Sequence, residues 1–296
     1  MYRSDRIKMQ KKSFILFLAF TLTSGLLFFG CEKLTSASEN IATAEGYSLS
    51  SSSIIVAINT VEELIEFKGE PEVSKLTILN DLAILKYVDS TLLDGDGLEF
   101  TLDYGSLSTI PDGNRGNDGI KRSGVIRVKT EIDPRKAFVV YLEKFITGDA
   151  GSWHEMNGQL TVDRLTDKSI NLKFANMEIA VNQGASIQKL SGDMSIVTVS
   201  GFDTPGFLDN TQDYFGKGTG TLPSGEAYSW TIDENIALTK RFEVGCAKTF
   251  IKGLVYITNT ESKTNIALDF DPYENKACDK VAKAVIGKRE FIFTIK

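Results

Sequence analysis

Histidine is almost missing from this sequence: His154 stands alone among 296 residues. With one imidazole, a His/Cys zinc site cannot be assembled, and a serine–histidine–aspartate relay has to run through that residue. No G-x-S-x-G turn is present to supply a nucleophile. His154 lies in Ser152-Trp-His-Glu155, ahead of an Asn157-Gly158 turn signal, and reads as a surface strand position rather than a general base. Proline is scarce as well, with 6 residues against 25 glycines, which excludes a Pro-rich disordered chain and suits many turns. Clustered basic charge is absent beyond the first residues. Setting aside residues 1–30, with five bases and one acid, moves the formal charge from -6 to -10. A chain this acidic excludes nucleic acid as a partner, because counterion release needs grouped Lys and Arg. The same balance excludes electrostatic attachment to an anionic membrane.

The bases sit where an export signal needs them. Lys11-Lys12 leads straight into Ser13-Phe-Ile-Leu-Phe-Leu-Ala-Phe20, and the apolar run continues to Gly30. This is the pattern of a signal peptide, and Met9 as well as Met1 would supply a positive start. The run falls short of the ~20 apolar residues of a spanning helix. No A-x-A site follows it. The sequence reads Leu27-Phe-Phe-Gly-Cys31 and then turns polar at Glu32-Lys33. A small residue just before a cysteine, at the end of such a run, resembles the lipobox of bacterial lipoproteins. That resemblance implies a diacylglyceryl thioether on Cys31, cleavage before it and acylation of the new amine. Phe29 departs from the pattern, which favours a smaller residue there. Several acyl chains on one residue hold a protein to a bilayer durably, at roughly 0.8 kcal/mol per buried CH2. The expected organisation is a signal over 1–30, the lipidated cysteine and a Ser-rich flexible tether over 31–53, and one β-rich domain over 54–296. The anchored protein is expected in the cell envelope, on the outer membrane.

Thr60-Val-Glu-Glu63 has the form of a capping box, which predicts a short helix from Thr60 to about Gly69. Beyond Pro71 the period changes to two. Phe100, Leu102 and Tyr104 share one face, as do Phe138, Val140 and Leu142, then Ile170, Leu172 and Phe174, and later Ile266, Leu268 and Phe270. Turn signals such as Asn157-Gly158, Ser191-Gly-Asp193 and Pro223-Ser-Gly225 separate these runs. The fold class is therefore all-β, an antiparallel sandwich or a large curved sheet, with a short N-terminal helix.

Phe100-Thr-Leu-Asp-Tyr-Gly105, Pro111-Asp-Gly113 and Lys121-Arg-Ser-Gly-Val-Ile-Arg-Val128 together resemble a group of uncharacterised Bacteroidota lipoproteins. The likeness continues through Cys246, Lys252-Gly253, Tyr256-Ile-Thr-Asn259, Leu268-Asp-Phe270 and Cys278-Asp279, so that it spans roughly residues 83–296 with long unmatched stretches. Asn114–Asp118 lengthens the D-G loop, and Asp271 stands where the group tends to have Gly. The resemblance implies the anchor and the β fold, and no activity.

With Cys31 assigned to the anchor, Cys246 and Cys278 remain as an even pair, which an oxidising compartment favours as a disulfide; two free buried thiols are the alternative. Asp94-Gly-Asp96-Gly and Asp112-Gly-Asn114 through Asn117-Asp118-Gly119 carry oxygen ligands of the kind calcium takes, but the twelfth position after Asp112 is Ser123, and Asp-Gly is ordinary turn vocabulary. No cofactor and no metal site is expected. Trp153, Trp230, Tyr214 and Phe215 are candidates for a sugar-stacking platform, with core packing as the alternative. The expected function is a non-enzymatic binding or structural role at the envelope. A surface component that binds glycan or peptide for uptake, and a glycan-active hydrolase built on a carboxylate pair, are the other readings.

Overall fold

The computed structural model describes residues 38 and 40–62 and then 83–295, with breaks at 90–94, 107–118, 134–135, 150–151, 182–185, 203–208, 244–245 and 247–248. The signal segment, Cys31, the Asp112–Asp118 loop and Asp94 lie outside the described residues. Thr43–Lys296 forms one compact unit.

Helix α1 covers 40–62. Fourteen strands follow: β1 (Ile84–Asp89), β2 (Glu99–Asp103), β3 (Lys121–Thr130), β4 (Ala137–Asp149), β5 (Ser152–Thr166), β6 (Ser169–Val181), β7 (Ser186–Ser200), β8 (Thr211–Thr221), β9 (Ala227–Ile232), β10 (Leu238–Arg241), β11 (Leu254–Asn259), β12 (Asn265–Asp269), β13 (Val281–Ile286) and β14 (Arg289–Thr294). They make a single antiparallel sheet in chain order, each strand beside the next, except that β9 and β10 both pair with β8 and β11 follows β9. The expected antiparallel all-β domain is present, as one curved sheet rather than two packed ones.

The alternation read from sequence sets which face is inward. Phe100, Leu102, Phe138, Val140, Leu142, Ile170, Leu172, Phe174, Ile266, Leu268 and Phe270 are all buried. They share one core with Ala44, Tyr47, Ile54, Ile55, Ala57, Ile58 and Val61 of α1. From residue 46 to 62 every position of α1 is buried, and its apolar side chains share one core with the inward face of the sheet. Bulges supply the bend, since an extra residue in one strand kinks it and raises its twist. They occur in adjacent strands, between Ser123 and Val125, Leu142 and Phe145, Asn157 and Leu160, and Phe174 and Met177. At the first of these, Gly124 has φ +84°, and a Cβ there would meet the Lys144 carbonyl oxygen at 2.1 Å.

Two expectations about the N-terminal region are overturned. Residues 40–53 are not a tether: they form most of α1, and the compact unit begins at Thr43 rather than at 54. Thr60-Val-Glu62 does not open a helix but continues α1, which is already helical from 40; the rest of the expected helix, 63–69, lies outside the described residues. The Thr60 hydroxyl donates back to the Val56 carbonyl at 2.7 Å, and the Glu62 carboxylate is engaged by Arg164. Serine has modest helix propensity because its hydroxyl competes for backbone groups, yet burial inside a sheet outweighs that small preference.

Candidate functional site

Three places gather chemistry-bearing side chains. The first is the seam between α1 and the inner sheet face. The Ser50 hydroxyl donates to Gln188 Oε1 at 3.2 Å, and Ser53 Oγ lies 3.2 Å from His154 Nδ1. The Arg122 guanidinium donates to Thr60 Oγ1 at 3.2 Å, and Arg164 meets Glu62 at 2.7 Å. Burial pushes the Glu62 carboxyl above its usual range, and the Arg164 charge partly opposes that. His154 is thus a core residue, 4% exposed, and not the surface position expected from sequence. Its contact with Ser53 has the atoms of a nucleophile–base pair, but both side chains are sealed between helix and sheet. A substrate would have to enter a packed core to reach them, and the contact serves to join α1 to β5.

The second place is the cysteine pair. Cys246 and Cys278 have Cα atoms 5.2 Å apart and their sulfurs at bonding distance, joining the loop after β10 to the loop before β13. Glu243 Oε1 lies 3.3 Å from Cys246 Sγ, and Arg241 meets the same carboxylate at 3.3 Å. The two sulfurs and the Glu243 carboxylate are close enough to share an ion. Zinc binding by cysteine needs thiolates, however, and bonded sulfurs leave Glu243 as a single ligand.

The third place is a groove of about 410 Å³ on the outer face, crossing β6 to β9. Its cause is an interruption. Thr231 of β9 pairs with Lys217 of β8, and pairing resumes only at Leu238 with Tyr214. Residues 233–237 loop out between the two, so that among the described residues Phe215 has no strand neighbour on that side. Asp233 Oδ1 accepts the N–H groups of Asn235 at 2.8 Å and Ile236 at 3.0 Å. The Asp233 N–H donates to the Leu254 carbonyl, and the Leu254 N–H donates to the Ile236 carbonyl, which ties both ends of the loop to β11. Glu234 projects from this braced loop onto the groove. On the strands, Lys173 faces Asp193 and Asp193 faces Lys217, while Asn171 faces Ser195 and Ser195 faces Phe215. Residues directly opposite in an antiparallel sheet share a face, so these form two rows across the floor.

Of the four aromatics named from sequence, only Phe215 reaches this groove. Trp230 and Tyr214 are buried on the inner face, at 1% and 0% exposure. Trp153 is half-buried on β5, away from the groove. Parity explains the split: Tyr214 and Phe215 are consecutive in a strand and must point to opposite faces. The polar groove residues went unnoticed in the sequence. They are the outward partners of the apolar sets, and the signal for the loop was the run Asp233-Glu-Asn235 inside an otherwise alternating stretch.

No family model, no curated protein and no solved structure matches the chain.

Proposed function

We propose that this chain is a lipid-anchored protein of the cell envelope, held on the outer membrane through Cys31, with a non-enzymatic binding role. The observation that carries the reading is the N-terminal sequence, a basic start and an apolar run closing on Gly30-Cys31. The cysteine pair at disulfide distance supports it, because disulfides persist outside the cytoplasm. The braced outer groove supports binding over a purely structural part, since a structural sheet has no need of an interrupted strand there. Metabolic labelling with an alkyne fatty acid tests the anchor. The parent chain should take up label and sediment with membranes, and Cys31→Ser should do neither. Equal labelling of Cys31→Ser would overturn the proposal.

A surface component that binds glycan or peptide for uptake is the second reading, and the groove is what favours it. The third reading, a glycan-active hydrolase built on a carboxylate pair, would draw on Asp193 and Glu234, which both line the groove, and not on the Ser53–His154 contact, which is closed to substrate.

A further inference from the structure

We infer that the groove across β6–β9 binds a neutral carbohydrate, with the Phe215 ring as the surface on which a sugar face stacks. The inference rests on the binding role proposed above and assigns its ligand class and site.

Four observations lead there. The Phe215 ring is half-buried on the outer face, and the strand that would have covered its side is displaced into the 233–237 loop. An aromatic ring held at its base and open on one side offers a flat apolar surface of the kind that the C–H face of a sugar covers. Around it the charges balance. Lys173 and Lys217 flank Asp193 in one row, with Glu234 above, giving two cations and two anions. An anion or cation of either sign would meet one like charge for each opposite one. A ligand made of hydroxyls takes both, since each hydroxyl accepts from an ammonium and donates to a carboxylate. Asn171, Ser195 and Thr231 add an amide and two hydroxyls, which pair with hydroxyl groups in either sense.

Size and rigidity agree. A volume of about 410 Å³ lies in the range of small-ligand sites. Most lining residues stand on strands in the middle of the sheet, where neighbours on both sides fix the backbone, and the loop that carries Glu234 is fastened to β11. The ligand therefore meets a preformed surface and orders little on binding. A peptide would draw its affinity from main-chain hydrogen bonds along an open strand edge, and the stretch of β8 left open here is only Phe215 and Gly216.

Affinity electrophoresis of the full chain in detergent tests the inference, in gels cast with a β-glucan, a mannan, a xylan or starch. Retardation in at least one gel is expected, followed by saturable binding of the matching oligosaccharide in calorimetry. Phe215→Ala should weaken that binding about tenfold or more, as for loss of one stacking contact. Asp193→Asn should weaken it as well, and Tyr273→Ala, exposed in the loop after β12, should leave it unchanged. Circular dichroism on Phe215→Ala establishes that the sheet survives. Free migration in all four gels, or Phe215→Ala binding as tightly as the parent, would overturn the inference. Phe215-dependent binding of a random tetrapeptide pool, with none of the polysaccharides, would also overturn it while leaving the binding role in place. The Cys31 labelling result is independent of all these outcomes.

Discussion

Two aromatic side chains on β9 depend on glycines one strand away. A Cβ at Gly218 would lie 2.8 Å from Trp230 and 2.0 Å from the Ser191 carbonyl oxygen, and one at Gly220 would meet Tyr228 at 2.2 Å. The inner face of β8 is flat there, so that Trp230 can reach Tyr47 of α1 with ring centroids 5.3 Å apart. Gly218→Val should lower stability by about 2 kcal/mol or more through overpacking, seen as a lower urea midpoint. An unchanged midpoint would mean that the aromatic layer is looser than described. Titration is governed at the same scale. Burial raises the phenols of Tyr47, Tyr214 and Tyr228 well above the ordinary tyrosine value. A group whose folded pKa is raised contributes fully below its unfolded pKa, about 10 for tyrosine, and loses that contribution as pH climbs. Each of the three comes to cost roughly 1.4 kcal/mol per pH unit well beyond that point, so from about pH 9 to pH 11 stability should fall by about 4 kcal/mol in all. Urea melts between pH 9 and 11 check this. A flat profile across that window would contradict the burial of these phenols.

At the scale of the element, α1 is a serine-rich helix buried against the inner face of a sheet, and its hydroxyls are not equivalent. Ser53 joins Leu49 and His154, whereas the Ser48 and Ser52 hydroxyls are buried without a hydrogen-bond partner among the described residues. Removing a paired group leaves an orphan, and removing an unpaired one relieves a desolvation cost. Ser53→Ala should therefore destabilise by about 1 kcal/mol, while Ser52→Ala should be neutral or stabilising, by thermal melts read at one pH. Opposite signs from these would reverse the assignment of the two hydroxyls. The buried Glu62–Arg164 pair follows a similar logic. Arg164→Met alone should cost about 3–5 kcal/mol, because it leaves a carboxylate stranded, and adding Glu62→Gln should restore much of the loss. This helix was the least legible element in the sequence. Serines at 48 and 50–53 look like a solvated linker, and nothing local announces that a later sheet will bury them. Most sheet strands were legible because alternation is local, and the sets at Phe100, Phe138, Ile170 and Ile266 are buried as read. On β11 the pair Leu254 and Tyr256 proves to be the outward one, with Val255 and Ile257 inside, and Phe291 and Phe293 on the last strand are only partly buried.

For the whole molecule, the cysteine bridge closes a loop of 32 residues in sequence around β11 and β12. A link of that length contributes roughly 3–4 kcal/mol in the loop-entropy view. Reduction should lower the melting temperature without altering the far-ultraviolet spectrum. A melt indifferent to reductant would place the bridge outside the cooperative unit. The outer groove also belongs to this scale. Phe215 was visible as a candidate, but its companions come from β6, β7, β8 and the loop after β9, and only sheet register brings them to one face.

What the sequence by itself determined is what local chemistry dictates. An apolar run ending in Gly30-Cys31 defines the anchor expectation, period-two alternation defines the strands and their inner faces, and one histidine limits the available chemistry. Tertiary structure decided the rest. It drew the serine segment into a helix, buried His154 against Ser53, and sent Trp230 inward but left Phe215 facing out. The physical reason is that hydrophobic burial is summed over the whole fold. A segment with weak preference of its own takes whatever form lets it share the sheet's apolar core, and that sum is not written in any one stretch of the chain.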